Sequence, residues 1–576
     1  LTLLDDAAQT AVTYRDRVSE TDFSAQFVSV REVRSRLSRS RFDLDQRGEI
    51  ATPLDASAAS AEAADDARDH AAALAEAGAL SPIAGRFALA AAVARSDWEA
   101  VRRLGATLGP VDPARARLAE GLALHRLGDA EAAAAAFEAA LAALPEAEAA
   151  RLLDLTPLLT PDEQAAYRAD PAAVAEAFWA REDPRRLTDA NERRAEHLAR
   201  TVEADVLFGR TAGDLFTDRP LRGAQTEPGR IWIRYGRPLR SASFTLSTDD
   251  VPAYAEDLFG QQTPPYAVWE YDGFRFVFDD PNFVSDYRTY SPPAAAFSSR
   301  RYGTAVQNDD YVAQDRRMQR DDPAQTQVRP DVEVPVLVSR FRRSDGSTEA
   351  VVAYGAAVED LEDAEAGVFA LADGATVAQA PGRLGGGGRT LRTEAGALAT
   401  GAATVPLAGA DALRAEVAVG DTWGASDVPV EPLGGGFGLS DLLLAASVDE
   451  GTGGSVVRDG LSITPVPLGV FRVGDPVHVY VEAYGLAVED GRTRYTVEAS
   501  LVPAARRGGL IGRIFGRGQR PAVSVAADEE GSRATEAAHR VIDTADQRPG
   551  TYTLRLTVTD RATGEAASAE RVVTLE

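Results

Sequence analysis

The chain has 576 residues, enough at roughly 150 residues per domain for about four domains, each with its own core. Hydrophobic residues make up 45% and charged residues 26%, which excludes a disordered chain, and the net charge of −27 argues against broad nucleic-acid binding, which needs a basic footprint. All 61 basic residues are arginine and cysteine is absent, which excludes a Walker A loop, a Schiff-base lysine, a protein-kinase site, disulfides and thiolate metal sites.

No run approaches the roughly 18 apolar residues of a membrane span. The chain opens at Leu1 without an initiator methionine or a signal-peptide pattern, and we read Leu1 as following a processed or trimmed leader. That reading places the protein outside the cytoplasm: periplasmic, outer-membrane-associated or secreted.

Residues 1–155 read as helical, with 1–54 the hardest part to place. Gly121, Gly128, Ala133, Phe137, Ala140 and Pro145 fall at the spacing of a tetratricopeptide repeat, and Ala100 and Leu104 stand one repeat upstream of Ala133 and Phe137. The small residues let paired helices approach, Phe137 fills the groove between them, and Pro145 stops the second helix. Pro184 then ends a helix that carries Phe178 and Trp179. Asp189 with Glu192 reads as a capping box opening the next helix, whose apolar stripe is Leu198, Val202 and Val206. Beyond Gly209 the alternation of Ile231, Ile233 and Tyr235 with Trp232 and Arg234 predicts a strand ending at Gly236.

Asp272-Gly273, set between alternating aromatic and polar residues, predicts a two-residue hairpin. Its register opposes Tyr271 to Phe274, Glu270 to Arg275 and Trp269 to Phe276. One face then carries Trp269, Tyr271, Phe274 and Phe276, and the other carries the charge pair beside Val268 and Val277. That aromatic face is a candidate for stacking on sugar or peptide, though packing against the helices accounts for it better.

Together, Phe178 to Pro184, Thr188 with Asn191-Glu192, Gly229 to Gly236 and the aromatic hairpin resemble the GWxTD-domain family of Bacteroidetes-like bacteria. The last two positions of the name-giving motif survive as Thr217-Asp218, whereas Asp214 and Leu215 stand where glycine and tryptophan are expected. The resemblance implies an envelope-associated protein, with helical repeats ahead, β-domains behind and no established reaction. It picks out Arg181, Asp183, Asn191, Glu192, Thr217, Asp218 and Arg234, with Trp269, as candidate binding residues at a junction of helices and sheet. The same residues also suit helix caps and buried ion pairs, for which arginine's bidentate geometry is apt.

In the C-terminal half, Val334 to Phe341 and Ala350 to Tyr354 flank Asp345-Gly346. Gly385 to Gly388 reads as a surface loop, and Gly434 to Gly438 as an interdomain linker. Val477, Val479 and Val481 alternate with polar residues, and Asp490-Gly491 turns the chain into Tyr495 to Val502. The stretch after Pro549-Gly550 is similar to bacterial immunoglobulin-like modules. Such short strands predict two β-sandwiches. The expected class is therefore multidomain α+β, with a TPR-like helical region over 1–155 and a GWxTD-like mixed domain over 156–325. A β-sandwich over 326–436 and an immunoglobulin-like sandwich over 437–576 follow.

Five histidines are scattered and no HExxH occurs, so no metal or cofactor is expected. His197 reads as an exposed helix histidine. The acidic pairs Asp249-Asp250, Asp279-Asp280, Asp309-Asp310 and Asp321-Asp322 read as solvated turns, and neither glycine cluster completes a dinucleotide fingerprint. One segment opposes the acidic whole: Arg506, Arg507, Arg513, Arg517 and Arg520 surround Leu510, Ile511, Ile514 and Phe515 in a loop suited to an anionic lipid surface or an acidic partner. The expected function is a non-enzymatic scaffold or protein-binding component of the bacterial cell envelope or exterior. The alternatives are a carboxylate-based hydrolase in the GWxTD-like domain and a structural subunit of an extracellular filament or surface assembly.

Overall fold

The computed structural model describes residues 89, 92–93, 96–110, 112–209, 222–244, 266–279, 287–291, 310–321, 324–357, 364–385, 390–393, 396–420, 422–453, 456–504 and 523–576. The chain forms two compact units, Leu1–Trp179 with Thr188–Val328, and Ala180–Leu187 with Arg329–Glu576.

Among the described residues the first unit contains α1 (Trp98–Leu108), α2 (Pro113–Leu127) and α3 (Ala130–Ala143). Each begins on an aspartate, Asp97, Asp112 and Asp129, whose carboxylate accepts a backbone N–H of the first turn. Gly128 ends α2 at φ +94°, a conformation that a side chain would strain. Leu144 ends α3 in extended geometry because Pro145 follows it. Phe137 is fully buried against Gly121, where an added Cβ would lie 2.8 Å from the ring. The helices α4 (Glu146–Leu152), α5 (Pro161–Ala169), α6 (Pro171–Glu182), α7 (Glu192–Phe208) and α8 (Glu227–Tyr235) follow, then β1 (Arg240–Phe244), β2 (Tyr266–Glu270), β3 (Arg275–Asp279) and β4 (Arg288–Thr289) in one sheet of that order, and α9 (Tyr311–Asp321).

The hairpin has the expected register, with Trp269 opposite Phe276 and Glu270 opposite Arg275. The expected strand Ile231 to Tyr235 is instead part of α8. Thr226 caps that helix and Pro228 lies in its first turn, a start signal the alternation outweighed. The alternation misleads because Ile231 to Tyr235 are all buried, and a run buried on every side has no period. The cap of α7 is Asn191, not Asp189; the Asn191 carboxamide accepts from the Arg194 N–H at 2.8 Å. Among the described residues a single apolar cluster runs from Val93 through Phe137, Leu198, Trp232 and Phe276 to Met318.

The second unit holds two β-modules. The first contains β5 (Val336–Arg342), β6 (Thr348–Ala356), β7 (Ala364–Ala372), β8 (Ala375–Gly382), β9 (Thr390–Thr393), β10 (Gly396–Pro406), β11 (Ala412–Val419) and β12 (Thr422–Pro429). Its sheets, β5-β6-β10-β9 and β12-β11-β7-β8, share a core of Val352, Tyr354 and Val405 with Val368, Leu413 and Ala415. The β7–β8 hairpin turns on Asp373-Gly374, both at positive φ, the twist a two-residue turn needs.

The second module contains β13 (Gly438–Leu439), β14 (Leu443–Glu450), β15 (Val456–Arg458), β16 (Leu461–Pro465), β17 (Val470–Phe471), β18 (Val477–Tyr484), β19 (Thr493–Pro503), β20 (Val523–Gly531), β21 (Thr535–Ile542), β22 (Gly550–Asp560) and β23 (Ala566–Leu575). Its sheets are β13-β18-β14-β16-β15, with β21 also on β18, and β17-β23-β22-β19-β20. Asp490-Gly491 does not pair β18 with β19, as its hairpin signal suggested. The turn closes only the Glu489–Arg492 bridge, and the two strands belong to different sheets.

The modules meet through a buried cluster in which Phe341 and Val351 touch Leu443, Ala445, Ile463 and Tyr480. Arg458 bonds Glu349 and Glu482, each at 2.8 Å, and Arg340 bonds Asp441 at 2.7 Å. In the glycine run read as an interdomain linker, the carbonyls of Gly434 and Gly436 accept hydrogen bonds from Arg342.

Candidate functional site

The densest gathering of chemistry lies along α7, where thirteen of seventeen residues are buried. Arg193, Glu196, Arg200 and Glu203 recur at spacings of three, four and three, which places them on one helix face. Glu196 accepts from Arg193 at 3.0 Å, Arg200 at 2.6 Å, the Thr326 hydroxyl at 2.8 Å and the Gln327 N–H at 2.8 Å. Two turns on, Glu203 accepts from Arg237 at 2.6 Å, from the Trp232 indole at 3.1 Å and from Arg126. Arg200 also donates to the carbonyls of Ile233 at 2.9 Å and Gln325 at 2.8 Å, tying α7 to α8 and to the segment after α9.

These contacts set the protonation states. Burial pushes the Glu196 carboxyl up, but Arg200 and Arg193 overrule it and hold the group at about 2. Burial also opposes ionisation of Glu203, and Arg126 and Arg237 hold it below the usual carboxylate range. His197 is buried at 1% exposure, contrary to its reading as an exposed helix histidine. Burial, with Arg193 beside it, pushes its pKa down to about 3. Its Nε2 lies 3.1 Å from the Leu152 carbonyl, which can only accept, so that nitrogen carries the proton of a neutral ring.

The residues picked out from the sequence take structural positions. Arg234 is buried and donates to the Pro157 and Leu158 carbonyls at 3.1 Å each. Trp269, 1% exposed, packs edge-on against Trp232 and Phe278 and presents no stacking surface. Glu192 accepts from the Thr188 hydroxyl at 2.6 Å, and Asn191 donates to the Trp179 carbonyl at 2.7 Å. All four are held by burial or by hydrogen bonds inside the first unit. Arg181 and Asp183 belong to the second unit, where Arg181 pairs with Glu182 at 2.9 Å and Asp183 accepts from the Arg185 N–H at 3.4 Å. Thr217, Asp218 and the basic loop from Arg506 to Arg520 lie outside the described residues.

Two further polar sites lie in the second unit. The fully buried Glu416 carboxylate on β11 accepts the successive N–H groups of Arg186 and Leu187 at 2.8 and 3.0 Å. Burial pushes this carboxyl up to about 7 against the pull of Arg414. Arg186 also donates to the Gly374 carbonyl at 2.7 Å, so the segment Ala180–Leu187 is strapped to the sheet. On the second module, His478 and His539 meet ring to ring. Sequence reasoning missed both, because Glu416 lies 230 residues from Arg186 and the histidines 61 residues apart. Among the described residues, no three His, Asp or Glu gather to hold a metal ion, and no helix is long and apolar enough to cross a membrane.

No family model matches the chain, and no curated protein matches it. Among solved structures it is similar to a calcium-binding mutant of Bacteroides uniformis beta-glucuronidase 2, with 10% identity, a TM-score of 0.16, and coverage of 41% of this chain and 27% of that one. The same enzyme covalently bound to cyclophellitol-6-carboxylate aziridine matches with 8% identity, a TM-score of 0.15, and coverage of 39% and 26%. The chain thus spans about a quarter of these structures' length, and the likeness carries no argument about fold or activity.

Proposed function

We propose that the protein is a non-enzymatic scaffold or protein-binding component of the bacterial cell envelope or exterior. In this reading a TPR-like helical region and a GWxTD-like domain precede two β-modules, the last immunoglobulin-like. The observation that supports it is the use made of the α7 charges. Glu196 and Glu203 are ionised and bound by four arginines, an arrangement that braces a module and leaves neither carboxylate disposed to transfer a proton. The pinned joint between the β-modules suits a rigid interaction platform in the same way. Arg506 to Arg520 would supply a contact to an anionic lipid surface or an acidic partner.

The test is native fractionation. Envelopes solubilised gently and run on a native gel are expected to carry the protein in an assembly larger than the monomer. Recovery wholly as free monomer would refute the reading.

A further inference from the structure

We propose that His478 and His539 form a chelating site for a divalent transition-metal ion, zinc being the representative case. β18 and β21 pair antiparallel over eight positions, from Val477 opposite Ile542 to Tyr484 opposite Thr535. His539 stands opposite Tyr480, so His478, two residues back, shares its face on the diagonal. The ladder thus fixes both backbones, and both rings are half-buried.

The His478 Nδ1 lies 3.1 Å from the His539 Nε2, with ring planes 9° apart and centroids 5.2 Å apart. Rings whose nitrogens approach this closely at that centroid distance meet edge to edge, not face over face. A metal–imidazole bond of about 2.0–2.1 Å places two adjacent ligand nitrogens about 2.9 Å apart at a right angle and about 3.4 Å apart at the tetrahedral angle. The observed separation falls between these limits. The nitrogens face each other along the hydrogen-bond line, so an ion bonded to both enters when each ring turns by roughly 40° to aim its lone pair at the metal, without movement of the strands.

Imidazole nitrogen is the ligand that zinc, nickel and copper ions share, and a hard cation such as calcium finds no oxygen cage here. Two ligands leave the ion's other positions open. Among the described residues no third histidine or carboxylate completes the set, and water or a further donor fills the remaining positions. The neighbouring Val541 side chain is 47% exposed, which leaves the face beside the pair open to such a donor.

The test is calorimetric titration of the full chain with zinc chloride in a non-coordinating buffer, with His478→Gln and His539→Gln variants alongside. Urea midpoints establish that each variant is folded, and a double variant of Glu489 and Asp490, both to asparagine, controls for adventitious binding by the acidic surface. The expected result is one saturable site in the wild type, weakened about tenfold or more in each histidine variant and unchanged in the control. No saturable binding up to about 1 mM zinc, or equal affinity in the wild type and the histidine variants, would overturn the proposal. The first of those outcomes would leave the pair as a plain N–H···N hydrogen bond.

Discussion

Acid is expected to destabilise the first unit through His197, by an amount that can be worked out. The buried ring holds its pKa at about 3 against an ordinary 6.5, so the unfolded chain takes up a proton that the folded chain refuses. The folded pKa is depressed, so this penalty is nearly absent at pH 7 and grows as pH falls below 6.5 toward 3. Between pH 7 and pH 5 the difference amounts to about 2 kcal/mol. His197→Gln retains an N–H donor for the Leu152 carbonyl and removes the titration. Four of the five tryptophans, Trp98, Trp179, Trp232 and Trp269, lie in the first unit, so urea unfolding followed by tryptophan fluorescence reports mainly on it. The wild type is expected to lose about 2 kcal/mol more than the variant across that pH interval. Equal losses in the two proteins would show that His197 already titrates in the folded state, and the reasoning would fail.

Replacing Glu203 with glutamine leaves Arg126 and Arg237 without their buried counter-charge, and should cost about 3–5 kcal/mol in the same urea assay. Glu416 works in the opposite pH direction. Its folded pKa of about 7 lies above the ordinary 4.5, so its contribution is fully present below pH 4.5 and is lost as pH rises through 7. Glu416→Gln should therefore flatten the fall in second-unit stability between pH 5 and pH 8, as read by the circular-dichroism unfolding of its sheets. Limited proteolysis should spare Gly434 to Gly438 in the wild type and cut there once Arg342→Ala removes the donor to their carbonyls.

Where the sequence was legible, a local rule fixed the geometry. Asp272-Gly273 dictates its hairpin because the turn chemistry sets the register, and Pro145 stops α3 because proline disfavours helical geometry at the residue before it. Short buried runs were not legible. Ile231 to Tyr235 has the same residue types whether it is a buried strand or a buried helix, and only Thr226 and Pro228 ahead of it signalled a helix start. The α7 charges were missed for a related reason. Arginine and glutamate at spacings of three and four mark solvated helices as often as buried ones, and burial here comes from α2, α8 and the segment after α9 folding over them. Asp490-Gly491 shows that a tight turn specifies a reversal of the chain but not a strand partner.

The most direct test of the scaffold reading is cross-linking in native envelopes followed by mass spectrometry. Carboxyl-directed or photoreactive reagents are needed, because the chain has no lysine side chain for amine chemistry. The account predicts recurrent cross-links from the exposed surfaces of the β-modules or the helical unit to other envelope proteins. Cross-links confined to this chain alone, at reagent levels that join known neighbours in the same sample, would contradict it.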